Sequence, residues 1–191
     1  MRRICVFCGS RSGVNPALRE QASLFGEVLA RKGLTLVFGG GSIGLMGAIA
    51  DAVLARGGEA IGVIPRGLEA REVAHASLSQ LHVVGSMHER KAKMASLADA
   101  FVALPGGMGT LDELCEIVTW AQLGIHGKPC GLLNVAGYWN GFLSFLDHAV
   151  AEGFLPPEHR RIIQVDDDPE RLLDSMSTFV PPQVRKWLGD V

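Results

Sequence analysis

The chain has 191 residues, is 48% hydrophobic, contains 24 glycines and carries a formal net charge of −2. That length suits one domain with a substantial core, and the near-neutral balance excludes a broad basic field for gripping nucleic acid. No apolar run approaches the roughly 18 residues of a membrane helix, and Met1-Arg2-Arg3 followed by ICVFC is too short for a signal-peptide core, so a cytoplasmic location is expected.

Short apolar runs alternate with helical patterns from end to end. The expectation is an α/β fold: a doubly wound parallel sheet of about seven strands with helices on both faces, in a single domain spanning 1–191. The first strand is read at Arg3–Cys8 and leads into the loop Cys8-Gly9-Ser10-Arg11-Ser12-Gly13. Cys5 and Cys8 match C-x-x-C, but positions i and i+3 of a strand face opposite ways, so ordinary buried thiols are expected. Asn15-Pro16 marks a helix start.

The second strand, Thr35–Phe38, runs into Gly39-Gly40-Gly41-Ser42-Ile43-Gly44, a G-x-G-x-x-G pattern. A dehydrogenase would need an acidic residue ending the next strand; AIGVIP ends instead at Pro65-Arg66, with no carboxylate before Glu69. The loop then serves close strand–helix packing or contact with a phosphate or base. A helix follows over 43–56 and stops at Gly57-Gly58. Strands are read at Ala60–Ile64 and Leu81–Val84. Ser86-Met87-His88-Glu89 then fits a capping box opening a helix to about Ala98. The remaining strands are Ala100–Leu104, Cys130–Asn134 and Ile162–Val165, with Asp168-Pro169 starting a last helix before the loosely packed tail PPQVRKWLGDV.

The most informative segment is Pro105-Gly-Gly-Met-Gly-Thr-Leu-Asp-Glu113, between the fifth strand and a helix. A glycine turn there leaves the N–H groups of Gly107, Gly109 and Thr110 at a helix start, where the dipole favours an anion. Glu113 follows about one turn later, roughly 5 Å along the axis. A phosphate on the amides would bring a nucleotide's sugar to that carboxylate. The loops after the first, second and fifth strands should meet at one sheet edge. Arg90 and Lys91 fall in the first turn of the Ser86 helix, where cations oppose the dipole unless an anionic ligand is near. Glu89 is the capping partner; Asp112 and Glu116 read as first-turn acids.

Other chemistries lack their residues. His88-Glu89 begins like H-E-x-x-H, but residue 92 is alanine, and no Walker or G-x-S-x-G motif occurs.

GGGSIGLMG (39–47), MHERKAKM (87–94) and PGGMGTLDELCEIVTWAQLG (105–124) resemble the Lonely Guy (LOG) family of cytokinin riboside 5′-monophosphate phosphoribohydrolases, whose bacterial relatives act on AMP. The resemblance implies a Rossmann-like fold, a homodimer and a nucleotide site near the dimer interface. It puts the family's arginine–lysine pair on Arg90 and Lys91, and its essential acid on Glu113. Its phosphate segment falls on Gly107, Met108, Gly109, Thr110, Leu111, Asp112 and Glu113. A further substrate-contacting glutamate of the family's PRE segment corresponds to Glu72, here in ARE, and a helix threonine to Thr119. Relatives have also carried the label lysine decarboxylase, but no lysine context here suggests pyridoxal phosphate.

The resulting expectation is hydrolysis of the N-glycosidic bond of an adenine nucleoside 5′-monophosphate to free base and ribose 5-phosphate. No metal or redox cofactor is required. A non-catalytic nucleotide-binding protein is the alternative.

Overall fold

The computed structural model describes residues 1–68 and 74–182. In chain order the first half runs β1 (Arg3–Phe7), α1 (Pro16–Arg31), β2 (Thr35–Phe38), α2 (Gly44–Ala55), β3 (Ala60–Pro65), β4 (Gln80–Val84) and α3 (Met87–Leu97). The second half runs β5 (Ala100–Ala103), α4 (Met108–Gln122), β6 (Cys130–Leu133), α5 (Asn140–Ala151), α6 (Pro157–Arg160), β7 (Ile163–Asp166) and α7 (Pro169–Ser177). The seven strands form one sheet in the order β4-β3-β2-β1-β5-β6-β7, and every pairing is parallel. This is the Rossmann-like α/β architecture expected from the alternating pattern.

Parallel strands covered by helices on both faces must be apolar on both. β3, β5 and β6 are accordingly buried at every position. The pleat divides β1 between two cores. Ile4, Val6 and Cys8 face the side of α1, α2 and α7, whereas Cys5 and Phe7 face the side of α3, α4 and Trp139. Cys5 and Cys8 thus point apart, and no cysteine among the described residues forms a disulfide. Burial pushes the Cys130 thiol up to about 12, leaving it unreactive.

The helix starts follow the sequence signals closely. Asn15 Oδ1 accepts from the Ala17 amide at 3.0 Å, and Asp168 Oδ1 accepts from Glu170 and Arg171 at 3.0 and 2.9 Å. Ser86 Oγ accepts from the Glu89 amide at 3.1 Å. Glu89 itself accepts from the Gly85 amide at 2.6 Å, one residue before the partner of a standard capping box. Strand ends shift by a residue from the sequence reading. Among the described residues no helix is long and apolar enough to cross a membrane.

The sheet order reverses at β1: the chain builds outward through β2, β3 and β4, then returns to place β5 on the other side. Loops leaving β1 and β5 therefore diverge at the carboxyl edge and open a crevice, the usual ligand position of such sheets.

Candidate active site

At that edge lies a cavity of about 580 Å³. It is walled by Cys8–Gly13 after β1, Gly39 after β2, Leu45 and Met46 of α2, Arg90 of α3, the turn into α4, and Tyr138. The three glycine loops meet as the topology requires, and they interlock. Gly9 N donates to Pro105 O at 3.0 Å, and Leu45 N donates to Gly9 O at 3.0 Å. Gly44 has φ +65°, and a Cβ there would stand 2.3 Å from the Ser10 carbonyl carbon. Close packing therefore explains Gly44, while Gly39 belongs to the cavity wall.

α4 begins with Gly107 as N-cap, and no side chain caps it. Its first intrahelical bond runs from Leu111 N to Gly107 O at 3.1 Å, so the amides of Met108, Gly109 and Thr110 precede the helical ladder. Residues from Pro105 to Thr110 line the cavity together with Asp112 and Glu113. The electropositive end of a 15-residue helix thus shares one enclosure with a carboxylate.

Arg90 is only 5% exposed. Its Nε donates to Val63 O at 3.0 Å and its Nη2 to Gly39 O at 2.9 Å. These carbonyls sit in β3 and just after β2, where parallel strands present carbonyls at the sheet's carboxyl edge. They supply the partial negative charge that a cation at the start of α3 needs, a role that the sequence alone would give to a ligand. Contact is so close that a Cβ on Gly39 would lie 2.0 Å from Arg90 Nη2. A side chain at position 39 would displace the guanidinium from this seat.

Cys8 senses both charged side chains. Burial pushes its thiol far up; the Glu113 carboxylate pushes the same way, and Arg90 pulls against them. Cys8, Arg90 and Glu113 all line the cavity, and Cys8 stays a neutral thiol at ordinary pH rather than a thiolate nucleophile.

Lys91 does not line the cavity. Its Nζ lies 3.2 Å from Asp112 Oδ2 and 3.1 Å from Glu116 Oε2. Burial works against its charge, but hydrogen bonds to Glu116 and Asp112 outweigh it and raise the pKa. Lys91 ties α3, which carries Arg90, to α4, which carries Glu113. Leu111 packs on the core, and Thr119 donates to Cys115 O at 2.7 Å on an exposed stretch away from the cavity. Met108 stands at the rim, 80% exposed. Glu72, together with most of the terminal tail, lies outside the described residues.

The sequence reading missed Tyr138, which lines the cavity and donates its hydroxyl proton to Gly106 O at 2.6 Å. Its signal was positional: the loop after the sixth strand opens on the same edge as the glycine loops.

A family model described as possible lysine decarboxylase matches residues 46–176. An Oryza sativa subsp. japonica protein named probable cytokinin riboside 5′-monophosphate phosphoribohydrolase is 52% identical over 180 residues, covering 94% of this chain and 79% of the relative. An Arabidopsis thaliana protein named cytokinin riboside 5′-monophosphate phosphoribohydrolase is 51% identical, covering 94% and 83%. Among solved structures, the molybdenum cofactor carrier protein of Chlamydomonas reinhardtii has a TM-score of 0.71 at 22% identity over 92% of this chain and 96% of that one, a likeness of fold. With half of its positions shared with the plant proteins along nearly its whole length, this chain belongs to the LOG family.

Proposed function

We propose that the protein hydrolyses the N-glycosidic bond of adenine-type nucleoside 5′-monophosphates, both cytokinin riboside 5′-monophosphates and AMP. The products are free base and ribose 5-phosphate. The observation that carries this reading is the uncapped start of α4 opening into the same cavity as Glu113 and Arg90. The cavity volume, about 580 Å³, falls within the ordinary range for small-molecule sites.

The amides from Gly107 to Thr110 bind the 5′-phosphate, and this remote binding energy positions the sugar. As the bond from the anomeric carbon to the base nitrogen breaks, its electron pair leaves with the base and positive charge builds on the ribose. Glu113 stabilises that charge. Water then supplies hydroxide to the anomeric carbon and a proton to the base. Arg90, fixed by strand-end carbonyls, contacts the substrate and orients the carboxylate. Lys91 and Asp112 act by clamping the two helices that carry this pair.

The family description as lysine decarboxylase is not favoured. Pyridoxal phosphate chemistry needs a lysine to form a Schiff base, and none lines the cavity among the described residues.

Two charge-assisted amide contacts to phosphate, at roughly 1.5 kcal/mol or more each, amount to about 10²-fold. The value of kcat/KM for AMP should therefore exceed that for adenosine by at least this factor. Chromatography of released adenine measures both rates with purified protein. Equal rates would remove the phosphate cradle, and release of neither adenine from AMP nor isopentenyladenine from isopentenyl-AMP would favour a non-catalytic nucleotide-binding protein.

A homodimer with the site near its interface belongs to the same proposal. It is supported by apolar side chains left in water: Met108 at the cavity rim, Leu123 (62% exposed) and Ile125 (64%) past the end of α4, and Phe145 (62%) on α5. Sedimentation velocity at micromolar protein should give twice the chain mass of 20.4 kDa. A monomer at that concentration would contradict it.

A further inference from the structure

We propose that Tyr138 is a positioning residue: its hydroxyl holds the Gly106–Gly107 peptide so that the Gly107 amide at the start of α4 faces the nucleotide's phosphate. The inference rests on the nucleotide-hydrolase reading above and assigns a new part of its machinery.

In a trans peptide the carbonyl of one residue and the N–H of the next point in opposite directions. The Tyr138 hydroxyl donates to Gly106 O at 2.6 Å, so the Gly107 N–H is directed away from the tyrosine. Rotation of this peptide would swap the two groups and turn a carbonyl oxygen toward the anion. Flanking glycines make such rotation cheap, since neither residue carries a Cβ to restrict it. On one side the peptide is wedged: a Cβ on Gly106 would stand 2.1 Å from Thr110 Oγ1. On the other it is open, for a Cβ on Gly107 would meet nothing within 4 Å. The tyrosine bond, made to the carbonyl of Gly106, adds a restraint on the peptide whose Gly107 side packing leaves loose.

The fold aims this side chain at some cost. The turn before it, Val135–Gly137, holds Ala136 at φ 50° and ψ 29°, the one non-glycine residue with positive φ among those described. Such conformations persist where the surroundings over-determine them. Here Asn134 Oδ1 accepts from Trp139 N at 2.8 Å, and Trp139 is 2% exposed. The Trp139 ring meets Tyr138 edge-on at 5.1 Å. An anchored neighbour and a strained turn thus direct a side chain that is itself 46% exposed. Nothing in the core calls for that hydroxyl; the phosphate turn does.

Tyr138→Phe keeps the ring in the cavity wall and removes only the hydroxyl. It should raise KM for AMP by about 3- to 10-fold, the range for one net hydrogen bond, with kcat nearly unchanged. Inhibition by ribose 5-phosphate should weaken by a similar factor. The slow rate on adenosine, which has no phosphate to seat, should not move, and the melting temperature should stay near wild type. Equal losses on AMP and adenosine, or a collapse in melting temperature, would reduce Tyr138 to a structural residue and overturn the role. So would full retention of the AMP preference by the variant while wild type discriminates. Wild-type protein with no preference for AMP over adenosine would overturn the cradle itself, and this role with it.

Discussion

Glu113→Gln is expected to lower turnover of a nucleoside 5′-monophosphate by about 10²-fold or more while leaving its affinity near wild type, in line with the usual size of a carboxylate's contribution at a reacting centre. The substitution keeps side-chain volume and removes the negative charge. On the proposed reading, phosphate binding depends on main-chain amides at the uncapped start of α4, which the change does not touch. In the proposed mechanism, what is lost is stabilisation of the developing cation at the anomeric carbon, an interaction worth far more in the transition state than in the bound substrate. The effect should therefore fall on kcat. Single-turnover release of base, with calorimetric binding of AMP alongside, separates the two quantities. Near-normal turnover would take Glu113 out of the mechanism.

Arg90→Lys should be almost as damaging, with kcat/KM reduced by about 10²-fold and the melting temperature lowered by roughly 4–8 °C. A guanidinium is a planar fork; its Nε and Nη2 reach carbonyls of Val63 and Gly39 in different directions. An ammonium is a point donor on a shorter stem and cannot hold both carbonyls as the guanidinium does. Leaving a buried carbonyl without a donor costs about 1–3 kcal/mol, which is the source of the thermal shift. Steady-state kinetics and a thermal melt read the two consequences separately. A lysine variant with wild-type kinetics would mean that a positive charge alone suffices and that the strand-end carbonyls orient nothing needed for the chemistry.

The sheet was legible because its strands are covered on both faces. A run such as Ala60–Pro65, buried at all six positions, has no choice but to be continuously apolar. Helix starts with a side-chain cap and a proline, Asn15-Pro16 and Asp168-Pro169, could be read residue by residue. α5 could not. It begins after Trp139 without a side-chain cap and has no fully buried residue, so neither its start nor its packed face leaves a sharp pattern.

The same division holds at the cavity. Gly107, Gly109, Thr110 and Glu113 form one local strand–turn–helix segment, and local geometry alone brings them together. Two carbonyl partners of Arg90 are 27 and 51 positions away, and the parallel register of β2 and β3 brings those carbonyls to it. Lys91 reaches its carboxylates 21 and 25 residues on, across two helices. Adjacent cations in the sequence thus take different work: one is buried beside the cavity, and the other joins helices. The Tyr138 contact could not be read locally for the same reason, because its bond to Gly106 spans 32 residues.

The arrangement at the centre of this proposal is open to direct inspection in a crystal structure of the Glu113→Gln protein with AMP bound. The 5′-phosphate should rest on the amides from Gly107 to Thr110, with the ribose anomeric carbon against the side chain at position 113. A phosphate seated elsewhere, or a ribose turned away from that side chain, would contradict it.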